Sequence, residues 1–169
     1  MSTMVDLSIL DLTPDHRGAR FDHMLRRFSD EMQVIEVLRT VGVDRSDAQR
    51  LLDVLAVRMD VPVPDGSFHR GRGPHTGYCV PPRGVAAIQA DPARLAAWEA
   101  DRGRGWPENG LIRLGDPTAL ATVAHEFAHH MVHCLDRPAT PAHGKRWVAR
   151  YDVSARTITS LIAQTLADV

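Results

Sequence analysis

The sequence predicts one α+β domain spanning residues 1–169, in which a small antiparallel sheet packs on two long helices. The first observation is a helical repeat of apolar residues, with one every three or four positions, over 21–40 and 117–135. The second is an Asp-Pro pair at 91–92 and at 116–117, each typical of a helix start. The third is a set of short strand-like runs at 78–80, 85–89 and 111–114. The length of 169 residues fits a single core.

Composition and charge exclude several classes of protein. Hydrophobic residues make up 44% of the chain and charged residues 24%, as in ordinary globular domains. The net charge of -1 gives no electrostatic basis for binding nucleic acid. No apolar run approaches the ~20 residues of a membrane span, and the first ten residues lack the features of a secretion signal. We therefore expect a cytoplasmic protein with no membrane partner.

An N-terminal pair of helices is predicted over 20–60. The apolar repeat of the first helix ends near Gly42, and the second helix continues to about Met59. Ser46 and Gln49 have the spacing of a capping box at the start of that second helix. The proline-containing stretch that follows ends it, and the Gly-, Arg- and His-rich residues 65–75 predict a loop.

The remaining residues, 76–169, are expected to form the core that carries the function. The strands at 78–80 and 85–89 flank a Pro-Pro-Arg-Gly turn. A short helix should follow Asp91-Pro92 and end near Ala100. The second Asp-Pro pair should start a helix at Pro117, and a last helix should run from residue 143 or 144 to Ala167.

The helix at 117–135 carries the chemistry. One stripe is apolar, and the opposite side holds histidines but no Lys, Arg or Asp; Glu126 is its one formal charge. We therefore expect a central, covered helix. Polar groups there need partners, since burying an unpaired imidazole or carboxylate costs several kcal/mol.

His125-Glu126-x-x-His129 is an HExxH motif, which predicts a metal ion as that partner. Two imidazoles at i and i+4 lie one turn apart on one face and can converge on one Zn²⁺. Glu126 is displaced by about 100° around the helix. It is placed to hold a water at the metal and to take its proton.

A catalytic zinc site of the zincin type needs a third protein ligand. Glu126 is the last Glu in the chain, so a later glutamate ligand is excluded. Val132 and Leu135 exclude a third histidine in the metzincin spacing. His143 is favoured because 14 residues separate it from His129, enough for the helix to end and the chain to turn back. The other candidates are His133, Asp136 and Asp152.

The HExxH motif, the short loop and the sequence His143-Gly144-Lys145-Arg146-Trp147 together resemble SprT-like zinc metallopeptidases and small actinobacterial metallohydrolases with the same motif. The similarity covers about residues 76–155. It implies a zincin-like fold, one zinc ion on His125, His129 and His143, and Glu126 as catalytic base. Trp147 stands where the family usually has Phe. The cysteine-rich zinc ribbon of many SprT-like proteins has no counterpart here.

These observations predict a zinc-dependent hydrolase, foremost a metallopeptidase acting on a peptide or protein. The alternatives are a zinc hydrolase of small-molecule amides and a non-catalytic, zinc-stabilised interaction module. Tyr151, eight residues after His143, is the predicted donor to the reaction oxyanion, with Tyr78 as a second candidate. The strand at 111–114 is expected at the sheet edge, where an extended peptide could pair with it. His69 and His75 could belong to a loop over the cleft.

Overall fold

The computed structural model describes residues 3–4, 38–89, 92–103, 105–137 and 140–167. Most of the predicted first helix lies outside these residues, apart from 38–40, which are helical. The helices are Arg45–Met59 (α1), Arg83–Gln89 (α2), Pro92–Arg102 (α3), Leu120–Leu135 (α4) and Lys145–Ala167 (α5). The strands are Thr3–Met4 (β1), Val41–Val43 (β2), Asp65–His69 (β3), Gly77–Val80 (β4), Leu111–Gly115 (β5) and Thr118–Ala119 (β6). The predicted α+β class is confirmed.

The main sheet has the order β3-β5-β4, with β5 parallel to β3 and antiparallel to β4. The prediction of a small antiparallel sheet with a strand at 85–89 was wrong on two points, because β3 pairs in parallel with β5 and residues 85–89 belong to helix α2. Their alanines favour a helix, and a short apolar run does not distinguish helix from strand. A second small sheet has the order β1-β2-β6.

Strand β3 occupies part of the segment that was predicted as a loop. Its sequence, Asp-Gly-Ser-Phe-His, has the composition of a turn. It is a strand because β5 pairs with it along its whole length, from Asp65 opposite Leu111 to His69 opposite Gly115. A side chain at Gly66 would meet the end of the flexible Gln49 side chain on α1, which would have to move.

The predicted edge strand is the centre of the sheet. Strand β5 has β3 on one side and β4 on the other, so its backbone groups are already paired. Within the described part of the chain, β3 and β4 are the edges of this sheet. The expectation that residues 111–114 receive a peptide substrate was therefore wrong.

Helix α4 is the covered central helix that the sequence predicted. Its apolar stripe is buried in the core against α1, the sheet and α5, where Phe127, Leu120 and Met131 are almost fully inaccessible. The helix begins at Leu120 instead of Pro117, because Thr118–Ala119 pair with β2 and the N-cap is Ala119. The Asp116–Pro117 peptide bond is cis.

The carbonyl of Pro74 ties the 70–76 loop to this helix start. It accepts hydrogen bonds from the Ala119 N–H at 2.8 Å and the Thr122 hydroxyl at 2.9 Å. Helix α1 likewise starts differently from the prediction. Its cap is Asp44, whose carboxylate accepts from the Asp47 N–H at 2.9 Å, not a Ser46–Gln49 capping box.

Candidate metal centre

Three imidazoles meet at one point between α4 and the start of α5. His125 and His129 come from successive turns of α4, and His143 precedes Lys145, the first residue of α5. The Nε2 atoms of His125 and His129 lie 3.2 Å apart. The Nε2 atom of His143 lies 3.1 Å from each of them. The structure thus brings together the three residues that the sequence predicted as ligands.

This triangle fits one tetrahedral zinc ion. Three nitrogens at 2.0–2.1 Å from zinc in tetrahedral geometry lie about 3.3 Å from one another, close to the observed 3.1–3.2 Å. The three nitrogens cannot all hydrogen-bond to one another. In a neutral imidazole, Nε2 carries either a proton or a lone pair, so at least two of the three nitrogens are of the same kind and cannot bond to each other. A cation at the centre receives all three lone pairs at once.

The protonation state of these histidines suits metal binding. Burial, followed by the neighbouring imidazoles of His125, His143 and His133, lowers the pKa of His129 to about 4. Burial and His143 also lower the pKa of His125. Both rings are therefore neutral at pH 7, the form that binds metal.

His143, which meets His125 and His129, has an unusual backbone conformation. Its φ is 58°, in the left-handed region that non-glycine residues seldom occupy. The carboxylate of Asp136 anchors the connection from α4 by accepting from Arg150 Nε at 3.2 Å and Nη2 at 3.3 Å. Arg146 adds a weaker contact at 3.7 Å. These ion pairs hold the start of α5 against the end of α4.

The alternative third ligands have other roles or positions. Asp136 forms ion pairs with Arg150 and Arg146. Asp152 pairs with Arg156 one turn along α5, at 2.9 Å. His133 is half-buried and lies outside the group of imidazoles that converge.

Trp147 forms one wall of the site, and its ring contacts all three histidines of the cluster. Its ring centroid lies 4.8 Å from that of His125, 5.5 Å from His129 and 4.6 Å from His143. Tyr151 stacks on the far side of Trp147, with centroids 5.2 Å apart. Tyr151 is thus separated from the histidines by one aromatic ring, and its role at an oxyanion stays a prediction.

Glu126 lies on the sheet side of α4, against strand β4. It is 5% exposed, and burial raises the pKa of its carboxyl to about 7. A methyl group built on Gly77 would lie 2.8 Å from Glu126 Cγ and 3.0 Å from Oε1. The absence of a side chain at Gly77 is therefore what leaves room for this carboxylate. Sequence reasoning missed Gly77, since nothing in its local pattern indicates which helix residue faces it.

Other predicted site residues lie elsewhere. Tyr78 points to the face of the sheet opposite Gly77 and Cys79, and its hydroxyl accepts from Arg113 Nη1 at 3.0 Å. His69 belongs to β3 and not to a loop over the cleft. His130 is fully buried and its Nε2 contacts the Pro62 carbonyl at 2.7 Å, so it belongs to the core.

No protein-family model, curated protein or solved structure matches this chain. In the part of the chain that the structure describes, every helix is too short or too polar to cross a bilayer.

Proposed function

We propose that this protein is a zinc-dependent hydrolase with a zincin-like active site, and specifically a metallopeptidase. The observation that carries the proposal is the convergence of His125, His129 and His143 beside a buried glutamate on the same helix. The residues that would hold the ion are these three histidines. When bound, zinc supplies a Lewis acid for the substrate carbonyl and lowers the pKa of water toward ~7.

Glu126 is the proposed general base. Its pKa of about 7 lies near neutral pH, where a carboxylate can both accept a proton and release it again. In peptide hydrolysis, Glu126 takes a proton from the attacking water as the oxygen bonds to the carbonyl carbon. It then delivers that proton to the leaving nitrogen as the C–N bond breaks. The absence of a side chain at Gly77 leaves the room that the carboxylate occupies beside β4.

Strand β4 is the proposed platform for an extended substrate. Among the described residues it pairs with β5 on one side only, so its other edge can hydrogen-bond to a peptide. Its first residue, Gly77, adjoins Glu126. A peptide added at this edge would therefore run past the catalytic base. This edge is the observation that favours a peptide over a small-molecule amide.

Two variants test the proposal together. Glu126→Gln should keep about one zinc per chain and lose at least ~100-fold in the rate of peptide cleavage. His143→Ala should lose or weaken zinc binding, measured by elemental mass spectrometry on protein purified without a histidine tag. His133→Ala is the matched control, because it removes a nearby histidine that lies outside the cluster. Full cleavage activity in Glu126→Gln would refute the mechanism, and full zinc content in His143→Ala would refute the site.

A further inference from the structure

The outer face of the main sheet carries a second polar cluster, remote from the metal centre. Strand β5 directs Ile112 and Leu114 into the core, so Arg113 between them points to the opposite face. In the strand register, Ser67 and Tyr78 lie directly opposite Arg113 on its two sides. His69 lies two residues after Ser67, on the same face of β3. We call Ser67, His69, Tyr78 and Arg113 the outer-face cluster.

Arg113 is the centre of this cluster. Its Nη1 donates to the Tyr78 hydroxyl at 3.0 Å, and its Nε donates to His69 Nε2. The Ser67 hydroxyl lies 2.9 Å from the same Nε2 atom. Because Nε2 accepts, the hydrogen-bond network assigns the imidazole proton to Nδ1, which faces Arg113 Nη2 at 3.3 Å. Two donors therefore face each other, and neither has an acceptor among the residues that the structure describes.

The charge of the cluster is also unbalanced. Among the described residues, no carboxylate lies within ion-pair distance of Arg113, whereas Asp136 pairs with Arg150 and Asp152 with Arg156. Arg72 adds a second guanidinium close by: after burial, the charges of Arg113 and Arg72 lower the pKa of His69. Arginine has donors only, so the cluster has more donors than acceptors and a positive charge.

We propose that the outer-face cluster binds a phosphate group. A phosphate supplies the missing acceptors and the opposite charge, and two nearby guanidinium groups favour a dianion over a singly charged carboxylate. The site is independent of the metal centre, because it lies on the face of the sheet that points away from α4. Its contacts come from Arg113, His69 and the hydroxyls of Ser67 and Tyr78, with Arg72 adding charge from the following loop.

A cavity beside the cluster has room for the organic part of a phosphate ester. Its volume is about 690 Å³, and Ser67 lines it together with Leu111, Trp98, Pro107 and one carboxylate, that of Asp65. Leu111 is the outward neighbour of Arg113 along β5, so the cavity and the cluster adjoin on the same face. Trp98 packs against Trp106 with centroids 4.4 Å apart, and it offers an aromatic surface. The structure thus assigns a small phosphate monoester as the ligand class.

The two tyrosines of the chain provide a direct test. Full-length, zinc-loaded protein is labelled with 3-fluorotyrosine, and its two ¹⁹F resonances are assigned with Tyr78→Phe. Titration with inorganic phosphate at constant ionic strength should shift the Tyr78 resonance saturably and leave the Tyr151 resonance, beside the metal centre, unchanged. A shift reproduced by sodium chloride or equally by acetate would overturn the proposal, as would no saturable shift.

Substitutions separate this site from the metal centre. Arg113→Gln should weaken phosphate binding at least 10-fold, whereas Arg156→Gln, which removes the same charge from α5, should leave it unchanged. Arg113→Lys keeps the positive charge but lacks the planar guanidinium group, so it should bind phosphate with intermediate affinity. This variant also provides a test if Arg113→Gln does not fold. His143→Ala should bind phosphate as the wild type does, even if the metallopeptidase proposal fails. Wild-type phosphate affinity in both Arg113 variants would overturn the assignment.

Phenyl phosphate tests the cavity. It should bind more tightly than inorganic phosphate, because its ring can bury apolar surface against Trp98. Equal affinity would overturn the role of the cavity in the site.

Discussion

Gly77→Ala is the substitution that best tests the geometry of Glu126, the proposed catalytic base. The added methyl carbon would lie 2.8 Å from Glu126 Cγ, 3.0 Å from Oε1 and 3.1 Å from the carbonyl oxygen of Arg113. That carbonyl belongs to the central strand and cannot move easily. The methyl group can therefore be accommodated chiefly by displacing the Glu126 side chain, which is buried.

The expected loss of stability follows from the short contacts that the added methyl group would make. Inserting a methyl group into a packed site costs about 1–3 kcal/mol. At this chain length, each kcal/mol lowers Tm by about 2–4 °C. Displacement of the base should also slow peptide hydrolysis by about 10-fold or more, because proton transfer requires hydrogen-bond distance. Zinc content should stay at the wild-type level, since the methyl group contacts none of the three histidines.

Gly84→Ala is the matched control for this experiment. It lies in helix α2, and a methyl group there meets no atom within 4 Å. Because Ala is a better helix former than Gly, this variant should be as stable as the wild type or more stable by about 0.5–1 kcal/mol. Differential scanning calorimetry, elemental analysis and a peptide-cleavage assay give the three readouts. A Gly77→Ala protein with wild-type Tm and rate would show that Glu126 does not rest against Gly77.

Two further predictions concern pH and the connection between the last two helices. In the metal-free protein, His129 of the unfolded chain takes up a proton near its usual pKa of 6.5. In the folded protein its pKa is about 4, so the ring stays neutral until the pH falls that far. Glu126, whose pKa is raised to about 7, acts in the opposite direction, so the measurement uses the Glu126→Gln variant. Its stability, measured by urea unfolding, should fall as pH drops from about 6.5 to 4, and a rise on acidification would contradict this. Asp136→Asn should cost about 1–3 kcal/mol, because it breaks the largely buried pair with Arg150. Asp152→Asn should cost less than about 1 kcal/mol, because its pair with Arg156 is exposed, and equal losses would refute this ranking.

The cluster of three histidines was predictable because the pattern that encodes most of it is local. The i, i+4 spacing of His125 and His129 acts within one helix, and the helix itself is evident from its apolar repeat. His143 followed from a short connection that has to turn back. The expected ligand triangle is therefore the part of the site on which sequence and structure agree most closely.

The surroundings of the site were not predictable, because they depend on strand pairing between distant segments. Arg113 meets His69 across 44 positions of the chain. Strand β3 has a turn-like sequence and is a strand only because β5 pairs with it. The contact between Gly77 and Glu126 likewise exists only once β4 lies on α4. No local propensity encodes such a register.

The position of His143 on a separate element has a consequence for how the protein would hold its ion. Two of the imidazoles belong to helix α4. The third, that of His143, follows the connection between α4 and α5, which the ion pair between Asp136 and Arg150 holds in place. If the cluster binds an ion, the bond from His143 would form within the chain, and its effective concentration would depend on the length and rigidity of that connection. Doubling the connection would cost only about 0.6 kcal/mol of closure entropy. Metal residence time should therefore respond more to the Asp136–Arg150 pair than to loop length, although neither residue touches the ion.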